Sequence, residues 1–256
     1  MEFGKINILF TGISGNDIAL HPLINSDKVN FIHFPTIEIA KSNLSVADKN
    51  KLKFADSYDF IIFTSTNAVK YFLLDYDNEL NNLSSKTKIV AIGEKTASML
   101  IGKHIDVDFI PHNSSSQNLD EILIQNLVAN KSILIPCSKL SKVDLSVSLE
   151  SKGAMVDFIA VYENKIPANI TPDLFQNVLT MDFDLYVFTS PSTFYNFVLL
   201  FGITESPNYF ANKIIASIGP VTTEAIKKHN IKVNIEPSEY NLKVLTDEIV
   251  NYYKLK

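Results

Sequence analysis

The residues in this sequence best suited to chemistry are hydroxyls, and they recur in one kind of place. Thr64-Ser65-Thr66-Asn67 follows the apolar run Phe60 to Phe63, and Thr189-Ser190-Pro191-Ser192 follows Leu185 to Phe188. Gly93 with Thr96, Ser114 to Ser116, and Gly219 with Thr222-Thr223 stand in similar positions after other apolar runs. Ser, Thr and Asn cap helix N-termini, and those termini expose unpaired N–H groups with partial positive charge. Each cluster alone reads as a helix cap. Together, at the C-terminal edge of parallel strands, they are expected to line a rim in each domain and face a cleft that binds a small anion through backbone N–H groups.

Other candidates carry less. Cys137 is followed by Ser138 and Lys139, where an ammonium would lower a thiol pKa. No orienting base accompanies it, so the sequence favours a structural thiol. The five histidines, His21, His33, His104, His112 and His229, have no second histidine at ligand spacing, and neither a metal nor a cofactor is expected. Gly12-Ile13-Ser14-Gly15 lacks both the dinucleotide fingerprint and the lysine of a phosphate-binding loop. Tyr162 ends an apolar strand, where its phenol would either donate a proton into the cleft or cover a hinge; spacing alone favours the hinge.

Bulk properties narrow the ligand. The chain has 256 residues, 46% of them hydrophobic, enough for two domains with real cores. A net charge of −5 argues against a nucleic-acid surface. No arginine occurs, so anions must be met by backbone, hydroxyls and lysine. A lone cysteine and the lack of any apolar stretch of membrane-spanning length lead to the expectation of a soluble, cytoplasmic protein without membrane contact.

The elements that must position these groups alternate strand and helix. Strands are expected at 6–10, 29–34, 60–63, 88–92, 107–110, 132–135, 155–161, 185–188, 213–218 and 232–235, with Pro136 halting the sixth in this series. Such alternation marks parallel sheets covered on both faces. The pattern also repeats. Thr64-Ser65 returns as Thr189-Ser190, and Ile92-Gly93 with Thr96 returns as Ile218-Gly219 with Thr222, shifts of 125 and 126 residues. Two similar five-stranded units follow, either as consecutive halves or with the leading pair of strands exchanged. Periodicity leaves both open.

These pieces resemble the uroporphyrinogen-III synthase family along the whole chain. The matching segments are Phe63-Thr64-Ser65 with Asn67-Ala68-Val69, Ile92-Gly93 with Thr96-Ala97, Gly153-Ala154 before Val161-Tyr162, Phe188-Thr189-Ser190-Pro191, and Ile218-Gly219-Pro220 with Thr222-Thr223. The resemblance implies an α/β fold of two similar doubly wound domains with parallel five-stranded sheets and the exchanged arrangement. Residues 1–35 plus 167–256 would form one domain and 37–162 the other, with 35–39 and 162–167 as a two-stranded connector. It implies a lyase that needs no cofactor, closing hydroxymethylbilane to uroporphyrinogen III with inversion of the last pyrrole ring and loss of water. The substrate carries eight carboxylates, which suits converging helix N-termini. Tyr162 matches the tyrosine proposed to assist departure of the hydroxyl. Thr64, Ser65, Thr66, Asn67, Gly93, Thr96, Ser116, Thr189, Ser190, Pro191, Ser192, Gly219, Thr222 and Thr223 are the implied substrate-binding positions.

One departure is chemical. Many relatives place an arginine after the first strand, where this chain has Thr11-Gly12, leaving Lys139, Lys142 and backbone groups for the carboxylates. A monomer is expected, in transient contact with the upstream bilane-forming enzyme. The rival class is a two-domain protein that binds a small anionic ligand without chemistry. A response-regulator-like module would need an acidic cluster after the first strand, and Phe10-Thr11-Gly12 supplies none.

Overall fold

The computed structural model describes residues 5–13, 18–76, 83, 87–111, 128–141 and 144–255. Ser14, Gly15, His112, Ser114 to Ser116, Lys142 and most of the helix expected from Gln117 to Val128 lie outside them. Nine strands are present among the described residues: β1 (Ile6–Phe10), β2 (Val29–His33), β3 (Glu38–Lys41), β4 (Phe60–Phe63), β5 (Lys88–Ala91), β6 (Ser132–Ser138), β7 (Met155–Lys165), β8 (Leu185–Phe188) and β9 (Ile214–Ser217). They form a four-stranded sheet in the order β2-β1-β8-β9 and a five-stranded sheet in the order β3-β7-β6-β4-β5. The pairings β1/β2, β1/β8 and β8/β9, and β4/β5, β4/β6 and β6/β7, are all parallel. The leading strands β1 and β2 thus share a sheet with the second copy of the repeat. The chain divides into one compact unit of Met1–Glu38 with Lys165–Lys256 and another of Ile39–Asn164.

Continuous apolar runs form these strands because both faces of each sheet are covered. In β4, Ile61 and Phe63 belong to one buried cluster with Val69, Phe72, Ile89 and Leu100. Phe60 and Ile62 point the other way, into a cluster with Val90, Ile133, Ile135 and Leu149. The first unit repeats the scheme: Ile8, Phe10, Leu185 and Val187 pack with Leu245 and Ile249, while Leu9, Tyr186 and Phe188 pack with Phe194, Phe197 and Ile226.

The expectation of five parallel strands in each unit requires correction. Residues 107–110 and 232–235 make only the single bridges Val90↔Phe109 and Ala216↔Ile235. Each approach makes a short run of backbone hydrogen bonds, such as Ala91 N to Phe109 O at 3.0 Å and Ser217 N to Ile235 O at 2.9 Å, and a side chain takes one more N–H: Asp108 Oδ2 accepts from Ile89 N at 2.8 Å, and Asn234 Oδ1 accepts from Ile215 N at 3.0 Å. Pro111 and Pro237 follow closely and lack the N–H needed to extend pairing. Among the described residues the first unit therefore has four strands, and the fifth strand of the second sheet is β3. Pro136 does not halt β6, which continues to Ser138. The β4 pairing ends at Leu134, so Pro136 lies where β6 is bonded to β7 alone, a place that tolerates a missing donor.

Asp59 fastens β4 to β6 from just ahead of the strand. Its Oδ1 accepts from Lys131 Nζ at 2.8 Å, and Oδ2 accepts from Ser132 N at 2.8 Å and Ser132 Oγ at 3.0 Å. The Lys131 hydrogen bond, and then the Ser132 N–H, hold its carboxyl below the ordinary value of 3.8. A depressed carboxylate stabilises the fold above its unfolded pKa, and that contribution is lost as pH falls through the folded value. The group is partly solvated, so Asp59→Asn is expected to cost only about 1 kcal/mol near neutral pH. Urea denaturation as a function of pH checks this: the gap between Asp59→Asn and the parent should close below pH 3.8.

Candidate active site

The repeated caps take the same geometry in both units. Ser65 begins the helix Thr66–Phe72 with φ −162° and ψ 159°, and its Oγ accepts from Ala68 N at 3.1 Å. Ser190 begins the helix Pro191–Leu200 with φ −165° and ψ 161°, and its Oγ accepts from Thr193 N at 3.2 Å. Thr193 Oγ1 returns the contact by accepting from Ser190 N at 3.1 Å, which completes a capping box. Adjacent strands bring a glycine start beside each serine cap. Ile92 N donates to Phe63 O at 2.8 Å, which sets Gly93 and the helix Glu94–Ile101 next to the β4 turn. Ile218 N donates to Phe188 O at 3.0 Å, which sets Gly219 and the helix Pro220–Lys227 next to the β8 turn.

The caps leave amides over. The first N–H groups of a helix have no partner inside it. Those of Thr66 and Asn67, of Glu94 and Lys95, of Ser192 and of Val221 have no acceptor among the described residues. Pro191 and Pro220 occupy first-turn positions and contribute none. The second unit therefore offers more donors than the first. Thr64, Ser65, Thr66 and Asn67 are half-buried, as are Gly93, Thr189, Ser190, Pro191 and Ser192. In the first unit, Pro191, Tyr195, Pro220 and Val221 line a surface hollow of about 490 Å³ with Glu224 and Lys228 at its edge.

Three of the expected binding threonines are buried. Thr96, Thr222 and Thr223 are 4%, 2% and 5% exposed. The N–H groups of Thr222 and Thr223 both donate to Gly219 O at 3.0 Å, and that of Thr96 donates to Gly93 O at 3.1 Å. Thr223 Oγ1 lies 2.6 Å from Ser217 Oγ and donates to the Glu236 carboxylate. These threonines pack beneath the turns and hold them from below. Ser116 lies outside the described residues.

Tyr162 reaches the second unit's rim through a bulge. The β6/β7 register runs Cys137↔Ala160 and then Ser138↔Tyr162, so Val161 is the extra residue. Strict alternation would send Tyr162 to the face of Phe158; it instead joins the cluster of Ile159 and Val161. Its hydroxyl is 3.1 Å from Ser65 Oγ, and the residue is 9% exposed. The ring stacks on Tyr71 with centroids 5.7 Å apart. Sequence reading missed the bulge and Tyr71, because an aromatic in a helix flanked by Val69 and Phe72 looks like core.

Other candidates are spent elsewhere. Thr11 is fully buried and donates from Oγ1 to Val187 O at 2.8 Å. A Cβ at Gly12 would lie 2.5 Å from the Phe10 ring. Lys139 pairs with Glu163 at 2.8 Å, and Lys142 lies outside the described residues. Burial pushes the Cys137 thiol up to about 12, and its Sγ donates to Ile159 O at 3.3 Å. Among the described residues no cluster of His, Cys, Asp or Glu could hold a metal ion, and no helix is long and apolar enough to cross a membrane.

Comparison with known proteins returns one family. The family model described as HEM4, uroporphyrinogen-III synthase HemD, matches residues 19–247. The chain is 26% identical over 240 residues to a uroporphyrinogen-III synthase of Synechococcus elongatus, covering 92% of this chain and 90% of the relative. It is 30% identical over 214 residues to that of Chlorobaculum parvum, covering 81% and 83%. The crystal structure of uroporphyrinogen-III synthetase from Helicobacter pylori superposes with a TM-score of 0.66 at 21% identity, across 96% of this chain and 99% of that one. At that identity the structural likeness speaks to the fold.

The state of Cys137 gives a direct check on its structural role. A thiol-specific reagent at mild alkaline pH should leave it unmodified in the native protein and label it fully once the protein is unfolded. Rapid native labelling would show an accessible thiolate instead.

Proposed function

Because the chain belongs to the uroporphyrinogen-III synthase family, cyclising lyases of tetrapyrrole synthesis, we propose that its amide-rich helix starts hold carboxylates of hydroxymethylbilane while Tyr162 assists loss of the terminal hydroxyl. The observation that carries this reading is the 3.1 Å contact between Tyr162 and Ser65, the cap of a helix whose next two amides have no acceptor among the described residues. It sets a proton-bearing group beside anion donors.

The chemistry follows from what each group has to give. Ser65 Oγ already accepts from Ala68 N–H, and a hydroxyl keeps one proton and a second lone pair. When Ser65 donates that O–H in a hydrogen bond to the phenol oxygen, the phenolic proton is free to pass to the departing hydroxyl, which leaves as water, and the Ser65 O–H stabilises the phenolate left behind. Electrons from the terminal pyrrole form the azafulvenium, attack on it gives the spiro intermediate, and ring inversion and closure follow. The wrong isomer forms when the chain closes without rearranging, so holding the bilane folded is the larger task. Backbone amides suit it, because they are fixed by the helices and need no reorganisation as charge moves.

A monomer is proposed as the working form. A cytoplasmic setting fits a chain whose single thiol is buried. Transient contact with the bilane-forming enzyme would shorten the life of a substrate that closes by itself.

Supplied with hydroxymethylbilane, the protein is expected to give the type III isomer; only the type I product of spontaneous closure would remove the proposal. Tyr162→Phe should lower kcat by roughly 10² with little change in KM. Unchanged turnover in a folded Tyr162→Phe would remove the phenol from the mechanism.

A further inference from the structure

We propose that Tyr71 is a positioning residue for this reaction, clamping the ring of Tyr162 so that its hydroxyl stays on Ser65 while anchoring β3 through Ile39. The proposal rests on the reading of Tyr162 as the proton donor. A hydrogen bond at the hydroxyl fixes one end of a phenol and leaves the ring free to swing. The Tyr71 ring removes that freedom: it lies 5.7 Å from the Tyr162 ring, centroid to centroid, with 23° between the planes. Offset stacking of this kind contributes beyond the area buried.

Tyr71 is itself held from both sides. It sits in the helix Thr66–Phe72 that Ser65 caps, so the group that fixes the Tyr162 hydroxyl and the group that fixes its ring belong to one rigid turn. Its own hydroxyl donates to Ile39 O at 2.5 Å. Ile39 lies in β3, the neighbour of β7, which carries Tyr162. One side chain therefore joins the capped helix, the bulged strand and the edge strand. A core tyrosine needs its hydroxyl satisfied, and Ile39 O does that. Filling the core would not require the ring to lie nearly parallel to the phenol that contacts Ser65.

The two roles separate in a double-mutant cycle. Tyr71→Leu is expected to lower kcat about tenfold with KM nearly unchanged, because a displaced donor weakens the transition state and leaves carboxylate binding intact. In a Tyr162→Phe background the same change should cost less than about twofold, since no proton donor remains to be misplaced. Tyr71→Phe keeps the ring and loses only the tie to Ile39. It should lower kcat about two- to threefold, and that loss should likewise vanish with Phe at position 162. This second cycle carries the test if the leucine variant does not fold. A silent Tyr162→Phe removes the proton-donor reading and this proposal with it. A slow Tyr162→Phe, beside Tyr71 variants that are silent or equally costly in both backgrounds, removes this proposal alone.

Discussion

A helix that begins where a parallel strand ends cannot bond its own first amides, and the rest of this protein's functional architecture follows from that constraint. Ser65 and Ser190 each satisfy one N–H three residues on. The amides at Thr66, Asn67 and Ser192 are left facing outward from the turn, with the partial positive charge of a helix start behind them. Gly93 and Gly219 begin the neighbouring helices without any side-chain cap and leave their own first turns open. At Gly93 the backbone adopts φ +86°, a conformation that favours glycine. Each unit therefore has two adjacent starts whose unmet hydrogen bonds are available to a ligand.

The polyacid site proposed here needs no arginine. A guanidinium binds carboxylate through a planar fork on a flexible stem that must be ordered. Backbone amides are ordered already, and strand pairing holds them within each rim at fixed spacing. Thr11 and Gly12, after the first strand, add no cation to the site. Thr11 turns inward to Val187 O, and Gly12 packs against Phe10 and Thr189, so the first strand supports the rim without reaching past it. The buried Ser217–Thr223–Glu236 network does similar work beneath the Gly219 turn.

Much of the fold was legible because apolar runs, prolines and caps act locally. The run Phe60 to Phe63 reads as a doubly buried strand, and it is one. The 125-residue recurrence of Thr64-Ser65 reads as a repeated strand-to-helix turn, and the φ and ψ values of Ser65 and Ser190 agree within a few degrees. What was illegible depends on neighbours. Whether 107–110 or 232–235 makes a full strand is decided by the reach of Asp108 and Asn234 as much as by their own apolar residues. Pro136 survives inside β6 only because β4 pairing has already ended. The bulge at Val161 has no composition signal, yet it decides which face receives Tyr162. Burial likewise separates Thr66 from Thr96, though both look like cap residues in the sequence.

The central claim is that fixed backbone amides, more than side-chain charge, grip the tetrapyrrole. Titration of isotope-labelled protein with uroporphyrinogen III, followed by amide nuclear magnetic resonance, addresses it directly. The account predicts that the N–H resonances of Thr66, Asn67, Glu94, Lys95, Ser192 and Val221 shift together along one saturating curve. Saturable binding that leaves these amides unmoved and perturbs other surfaces would contradict it.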